Sequence, residues 1–188
     1  MQSRSNRDIV EVLITRDAIA QRVAEMGREV AAAYEDSPPL LVGVLKGSAL
    51  FMADLIRHAD IPLEVDFMAV ASYATYGQGQ SRGTVRITKD LDNVIEGRDV
   101  LLVEGIVDTG MTIGYLLRNL EVRHPRTLRL CTFLDKPARR IVKVPIAFRG
   151  FEIPDRFVVG YGLDFRQLYR NLPYIGVLGG ETTGLRRE

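Results

Sequence analysis

Two acidic residues and a cluster of small polar residues follow an apolar segment near the middle of the chain. The apolar run 100–103 is typical of a strand buried on both faces of a parallel sheet. Glu104 and Asp108 come directly after it and lead through residues 109–112 into a helical pattern of apolar residues that begins at Ile113. A strand that feeds a short turn and then a helix leaves free backbone N–H groups at the helix start, where they bind anions, most often phosphate.

The residue types of this turn limit the kinds of phosphate compound that it could bind. It is not a Walker A loop, because no Gly-Lys-Ser/Thr ends it and Met111 lies near the place of that lysine. The carboxylates of Glu104 and Asp108 would repel a phosphate, so their presence indicates a ligand that also carries hydroxyls or a metal ion. A ribose 5-phosphate has this mixture of groups.

Strands and helices alternate on either side of the turn, and Thr15 is placed to cap the first helix. This order predicts an α/β fold with a doubly wound, mainly parallel sheet, whose ligands bind at the carboxyl ends of its strands. The predicted strands are 9–14, 40–45, 63–70, 84–88, 100–103, 127–134, 157–159 and 175–178.

Three segments do not fit this sheet. Residues 71–83 are rich in Ser, Tyr, Gly and Gln and have little to bury, which predicts a long flexible loop with a function. The terminal segments, about 1–14 and about 150–188, have no partners in the sheet and are predicted to form a small hood over its mouth. The chain is expected to be a single domain over 1–188.

The composition bounds the remaining possibilities. The chain has 188 residues and a formal net charge of +1, which argues against a nucleic-acid partner. It has no apolar run of membrane-spanning length and no apolar signal core at its start, so no membrane and a cytoplasmic location are expected. A lone cysteine, Cys131, excludes an intrachain disulfide, and His58 and His124 lack the spacing of a zinc site.

The segment 100–112 resembles the phosphoribosyl diphosphate (PRPP) signature of type I phosphoribosyltransferases. Segments 45–48, 72–73, 135–137 and 154–164 also match, in the right order along the chain, and narrow the resemblance to hypoxanthine-guanine phosphoribosyltransferases of bacterial type. The resemblance covers about residues 9–183. It implies the type I phosphoribosyltransferase fold and purine salvage: transfer of the phosphoribosyl group from PRPP to hypoxanthine or guanine gives IMP or GMP and pyrophosphate. It also implies Mg²⁺ and a homodimer or homotetramer.

The resemblance assigns roles around PRPP. Glu104 would contact a ribose hydroxyl, while Asp108 would lie beside N7 of the purine as the general base, because the purine loses a ring proton as the glycosidic bond forms. Alternatively, both acids only cap the turn and the helix start, where negative charge is favoured. The residues implied to bind PRPP and its phosphates are Lys46, Gly47, Glu104, Asp108, Thr109, Gly110, Met111, Thr112 and Arg170.

At Gly105 the chain departs from the family pattern, which usually has a second acid there. The missing carboxylate is expected to weaken PRPP binding or to alter the metal dependence. Alternatively, Gly105 reflects drift at a turn where glycine is comfortable.

At the diphosphate end, the backbone of Lys46 and Gly47 is implied to bind pyrophosphate, and Asp164 to hold Mg²⁺ with Glu104 nearby. Arg170 would reach the leaving pyrophosphate. Ser72 and Tyr73 begin the implied closing loop, which would exclude water from the reacting centre. Alternatively, Lys46 is a solvated lysine and the loop is an ordinary exposed one.

The implied purine site consists of Lys136, Phe157, Val158 and Asp164. Lys136 would donate to the 6-oxo group, which favours hypoxanthine and guanine over adenine. Phe157 would stack on the base, and the Val158 carbonyl would accept from N1–H and the guanine 2-amino group. Alternatively, Lys136 is a surface lysine and Phe157 a core residue. A solvated pair or a subunit contact is expected for Arg139 and Arg140.

Two other functions stay open. One is a xanthine-preferring phosphoribosyltransferase, which differs only in what faces C2 of the base. The other is a regulator on the same fold that binds RNA or nucleotides without catalysis; the near-neutral charge and the set Lys136, Phe157 and Asp164 argue against it.

Overall fold

The structure, a computed structural model, describes residues 8–73 and 84–179. Its centre is a six-stranded sheet in the order β4-β3-β2-β5-β6-β7, in which only the β3–β4 pair is antiparallel. This confirms the predicted α/β fold with a mainly parallel sheet. The elements are β1 (Ile9–Ile14), α1 (Arg16–Ala33), β2 (Leu40–Leu45), α2 (Ala49–His58), β3 (Glu64–Tyr73), β4 (Thr84–Lys89), β5 (Asp99–Val107), α3 (Met111–Glu121), β6 (Thr127–Asp135), β7 (Phe148–Glu152), β8 (Val158–Val159) and β9 (Ile175–Leu178).

Helices cover both faces of the sheet. On one face α1 and α2 bury a core that includes Met26, Phe51 and Phe133. On the other face α3 buries Leu116 and Leu120 against the central strands. The Thr15 hydroxyl accepts a hydrogen bond from the Ala18 N–H at 3.3 Å and so caps α1. The sheet is therefore doubly wound.

Strand β5 lies between β2 and β6 and runs further than its sequence indicates. The prediction ended the strand at Val103, but β5 continues to Val107 through ladder pairs with β6, of which the last joins Val107 to Asp135. Glu104 remains in the strand, where it pairs with Thr132 of β6, and its carboxylate accepts the Gly105 N–H at 2.8 Å. The turn at Gly105 that the sequence suggested is wrong: this glycine is a buried strand residue.

The edge strand β7 was not predicted. It pairs in parallel with β6. Its sequence, Phe-Arg-Gly-Phe-Glu, contains two charged residues and a glycine and so lacks the apolar run of a buried strand. The Gly150 position lies so close to β6 that a Cβ there would be 2.3 Å from the Phe133 carbonyl oxygen. Since β7 belongs to the main sheet, the first residues of the segment assigned to the hood, from about 150, lie in that sheet.

The terminal strands form a second, three-stranded antiparallel sheet in the order β1-β9-β8. Its core contains Val159, Leu172 and Leu178. Residues 1–7 and 180–188 of the predicted hood lie outside the described residues, and the hood remains a prediction.

Strand β3 extends through Tyr73, where the prediction had already placed the closing loop. The backbone of Ser72 pairs with Val85 and that of Tyr73 with Thr84, so β4 holds these residues in the sheet. Residues 74–83, the rest of the predicted loop, lie outside the described residues. Among the helices that the structure describes, none is long and apolar enough to span a membrane.

Candidate active site

The turn between β5 and α3 lines a cavity of about 230 Å³ at the carboxyl end of the parallel strands. Its lining joins the end of β5 to the first turn of α3 and comprises Glu104, Ile106, Val107, Asp108, Thr109, Gly110, Thr112 and Ile113. Five of the residues assigned to PRPP by resemblance therefore border one space: Glu104, Asp108, Thr109, Gly110 and Thr112.

The chain segment 136–142 holds the carbonyl side of this turn. The Val107 carbonyl accepts the Lys136 N–H at 2.9 Å, and the Thr109 carbonyl accepts the N–H groups of Ile141 and Val142, each at 2.9 Å. The Arg140 guanidinium donates to the Asp108 carbonyl at 3.1 Å. With its carbonyl oxygens bound on this side, the turn presents its amides and the start of α3 to the cavity.

Gly110 is required by the geometry of the turn. Its φ of +80° lies in the left-handed region, and a Cβ there would be 2.3 Å from the Val142 carbonyl oxygen. The next residue, Met111, begins α3, and its N–H donates to the Thr109 hydroxyl at 3.4 Å. The Met111 side chain is 44% exposed, so the residue contributes to the turn through its backbone.

Glu104 is a buried acid at the cavity wall. One carboxylate oxygen accepts the Gly105 N–H at 2.8 Å. Burial raises the pKa of Glu104 to about 7, while the backbone hydrogen bonds act in the opposite direction. A buried acceptor of this kind suits a ligand hydroxyl, which can donate to it in either protonation state.

Asp108 carries one buried and unsatisfied carboxylate oxygen. Its Oδ1 lies 3.1 Å from the Arg139 Nε, which makes an ion pair. Among the described residues, however, no donor points at this oxygen well enough for a hydrogen bond. Oδ1 is thus occupied by its ion pair with Arg139, while the accessible part of the 41%-exposed carboxylate can accept a proton at the edge of the cavity.

Lys136 is buried, with 6% of its surface exposed, which excludes a solvated surface lysine. Its ammonium donates to the Arg156 carbonyl at 2.6 Å. Burial lowers the pKa of Lys136, and the negative charges of Asp108 and Asp155 oppose that shift. The charge of Asp108 is thus close enough to act on the pKa of Lys136, although Lys136 does not line the cavity.

The segment that follows Arg156 supplies the other predicted purine residues. Phe157 is 39% exposed and packs edge to face on Phe165 with ring centroids 5.5 Å apart, so it is not a core residue. Val158 is buried in β8, where it pairs with Val177 of β9. Neither residue lines the cavity.

The Lys46–Gly47 loop packs against two other glycines. The Leu45–Lys46 peptide bond is cis. A Cβ on Gly105 would be 2.9 Å from the Gly47 carbonyl oxygen, and a Cβ on Gly162 would be 2.4 Å from the same atom. The Gly47 carbonyl therefore lies in a slot that is open only because both neighbours lack side chains.

Four polar side chains form a network beside this loop. Arg170 pairs with the Asp164 carboxylate at 2.7 Å and donates to the Gly162 carbonyl at 2.7 Å. The Gln167 N–H donates to Asp164 at 2.8 Å, and its amide oxygen accepts from Lys46 at 3.4 Å and from Arg170 at 3.3 Å. The structure thus brings three predicted diphosphate residues, Lys46, Asp164 and Arg170, together.

Sequence reasoning missed several residues of the site. Gln167 has a positive φ of 67°, which no sequence pattern indicates. Arg139 and Arg140 follow Lys136 closely, and that proximity was the available signal. The structure pairs Arg139 with Asp108 and Asp155 while 48% of its side chain stays exposed.

Comparisons with known proteins show the family to which the chain belongs. A family model described as a phosphoribosyl transferase domain matches residues 13–166. A hypoxanthine-guanine phosphoribosyltransferase of Bacillus subtilis is 50% identical over 171 residues, 91% of this chain and 94% of that protein. A hypoxanthine phosphoribosyltransferase of Escherichia coli K12 is 52% identical over 169 residues, 89% of this chain and 94% of that protein. A solved hypoxanthine phosphoribosyltransferase from Staphylococcus aureus has a TM-score of 0.90 and 46% identity, covering 97% of this chain and 98% of that chain.

The mainly parallel sheet and the phosphate-type turn at its carboxyl edge define a phosphoribosyltransferase of type I. Identity near one half over nine tenths of the chain narrows this class. The chain belongs to the hypoxanthine-guanine phosphoribosyltransferase family.

Proposed function

We propose that the chain is a purine salvage enzyme that transfers the 5-phosphoribosyl group of PRPP to hypoxanthine or guanine and releases pyrophosphate. The observation that carries this proposal is the meeting of three features at one sheet edge. These are an amide-lined turn for a phosphate, the acceptor Asp108, and the buried ammonium of Lys136. A phosphorylated sugar and a base with an acceptor at C6 have the complementary groups.

In this proposal Asp108 accepts the proton that the purine ring loses when the glycosidic bond forms. The 41% exposure of its side chain supports this role: Oδ1 is buried beside Arg139, so the other oxygen, Oδ2, is left for a donor from the substrate. The turn amides and the Thr109 and Thr112 hydroxyls bind the 5-phosphate, and Glu104 accepts from a ribose hydroxyl. These contacts position the sugar next to the base, which is the main source of rate in such a reaction.

The base is recognised by its edge and its face. Lys136 donates to the 6-oxo group while its link to the Arg156 carbonyl fixes the ammonium. The exposed ring of Phe157 stacks on the purine, and the Val158 carbonyl accepts from N1–H. Adenine has a donor at C6, which would leave the Lys136 ammonium without an acceptor, so we propose that adenine is rejected.

At the other end, Lys46, Gly47 and Arg170 bind the leaving pyrophosphate. Within the described residues no three His, Cys, Asp or Glu side chains cluster as metal ligands. Mg²⁺ typically uses one or two carboxylates together with substrate phosphates, and the carboxylate of Asp164 beside Arg170 fits such a site, with Glu104 as the nearby acid. When bound, Mg²⁺ would neutralise charge on the diphosphate.

We further propose that the enzyme works in the cytoplasm as a homodimer or homotetramer, with small-molecule substrates and without a nucleic-acid or membrane partner. The support for the oligomer is family membership.

Turnover of four bases tests the function. With PRPP and Mg²⁺, hypoxanthine and guanine are expected to give nucleoside monophosphates, while adenine and xanthine give less than about a hundredth of that rate. Xanthine as the best substrate would favour the xanthine-preferring enzyme. No turnover of any base, together with salt-sensitive RNA binding, would favour the regulator.

Gly105 offers a test of the sugar site. Gly105→Ala is expected to raise KM for PRPP about threefold, or roughly 0.7 kcal/mol, because the added Cβ must displace the Gly47 backbone. Gly105→Asp adds the same Cβ together with the acid that the family usually has. Its KM for PRPP is expected to be lower than that of the alanine variant. Equal KM values for the two variants would show that the missing carboxylate does not limit PRPP binding.

A further inference from the structure

The adjacent arginines Arg139 and Arg140, to which the sequence assigned no role at the site, both contact Asp108. Arg140 donates to the Asp108 backbone carbonyl at 3.1 Å and pairs with the buried Asp135. Arg139 reaches the side chain instead: its Nε lies 3.1 Å from Asp108 Oδ1, and its Nη1 lies 3.5 Å from Asp155 Oδ1. One arginine therefore holds the backbone of Asp108 and the other its carboxylate.

We infer that Arg139 is a positioning residue that orients the Asp108 carboxylate toward the purine, and that Asp155 anchors Arg139 for this task. The inference rests on the proposed function. Arg139 acts through Asp108 and need not touch the substrate.

The exposure of the carboxylate supports this role. Asp108 Oδ1 is buried although the side chain as a whole is 41% exposed. The oxygen next to the guanidinium is thus shielded, and the accessible part of the carboxylate lies elsewhere. An ion pair on one oxygen restricts rotation about the last side-chain bond and leaves the other oxygen available to a ring N–H.

The backbone links Arg139 to the base-recognition residue. The short 3-10 turn Pro137–Arg139 starts directly after Lys136, and the Arg139 N–H donates to the Lys136 carbonyl at 3.2 Å. The Lys136 ammonium is held at the Arg156 carbonyl, next to Asp155 in the sequence. One short turn therefore sets the positions of both cations relative to Asp108 and so couples recognition of the base to the orientation of the proton acceptor.

Arg139 is expected to matter little for folding. Its side chain is 48% exposed and Asp155 is 52% exposed, and ion pairs of such exposure contribute little to stability. A loss of activity without a loss of folding would thus separate positioning from a structural role.

The test compares Arg139→Gln, Arg139→Lys and Asp155→Asn with Arg123→Gln as the control. Arg123 follows the end of α3, pairs with Asp90 and does not line the cavity. Arg139→Gln is expected to lower kcat/KM for hypoxanthine about tenfold and to leave KM for PRPP within about twofold, because only the base-side acceptor is disordered. Arg139→Lys is expected to recover part of the loss, Asp155→Asn to lose about threefold, and the control to be unchanged.

A double-mutant cycle decides whether Arg139 acts through Asp108. In an Asp108→Asn background, measured with radiolabelled hypoxanthine, Arg139→Gln is expected to change kcat/KM less than about twofold. A full tenfold loss in that background would overturn the inference, as would unchanged or increased activity of the single variant. These results leave the proposed function standing if the unaltered chain turns over hypoxanthine. If it turns over none of the bases, the proposed function fails and the inference fails with it.

Discussion

Replacing Asp108 with asparagine is expected to lower kcat for hypoxanthine by about 10²–10³-fold, the usual contribution of a positioned general base. Asparagine has nearly the same shape but cannot accept the purine proton. KM for PRPP is expected to stay within about twofold, because the sugar phosphate is bound by the turn amides and hydroxyls, which the substitution leaves in place. Steady-state kinetics with hypoxanthine and PRPP varied in turn measure both values.

Asp54→Asn provides the matched control. The Asp54 side chain is 44% exposed against 41% for Asp108, and each carboxylate lies beside an arginine. Asp54, however, lies on α2, accepts a hydrogen bond from the Tyr161 hydroxyl and does not line the cavity. Its asparagine variant can still accept a hydrogen bond from the Tyr161 hydroxyl and is expected to retain kcat within twofold. If Asp108→Asn keeps a third or more of the original kcat, Asp108 is not the proton acceptor.

Strands with an apolar run bounded by turn or polar residues could be predicted from the sequence. The bounds of β1, β2 and β9 agree with the prediction. Strands β2 and β9 are buried apolar runs, whereas β1 is largely exposed and was predicted from its alternation of apolar and polar residues. Strand β7 could not be predicted in this way. It is an edge strand with Arg149 and Glu152, and it is held by contacts from elsewhere: the Arg22 guanidinium donates to the Gly150 carbonyl at 3.2 Å.

The site, too, has a part that the local sequence predicts and a part that depends on tertiary contacts. The segment from Glu104 to Thr112 is contiguous in sequence, so its residue types and spacing are enough to indicate a phosphate site. The partners of Asp108 are not local, because Arg139 reaches it only after segment 136–142 has docked on the turn carbonyls. The same limit applies to Gly105, whose close approach to Gly47 depends on how two strand ends pack. Sequence pattern therefore predicts which groups bind the ligand, and tertiary packing determines how they are oriented.

Lys136→Met is expected to lower kcat/KM for hypoxanthine and guanine by about 10²-fold, because the substitution removes a charge-assisted hydrogen bond to the 6-oxo group. Methionine has a similar length and leaves the pocket apolar. Adenine, which offers a donor at C6, loses nothing by the change. The preference for hypoxanthine over adenine should therefore fall by about the same factor, and kcat/KM for the three bases measures it.

Because of the position of Lys136, the loss in Lys136→Met is expected to be specific to bases with a 6-oxo group. The Lys136 ammonium is fixed by the Arg156 carbonyl at 2.6 Å, so it cannot swing away to solvent when the wrong base enters. Lys143→Met, which removes an exposed lysine from the same connecting segment, is expected to leave all three bases unaffected. If Lys136→Met lowers activity equally for hypoxanthine and adenine, its loss would reflect altered packing around Arg156 and not recognition of the 6-oxo group. The thermal unfolding midpoint, measured beside the kinetics, distinguishes a folded but non-selective variant from a destabilised one. If Lys136 recognises the 6-oxo group, Lys136→Met loses selectivity while its unfolding midpoint stays unchanged.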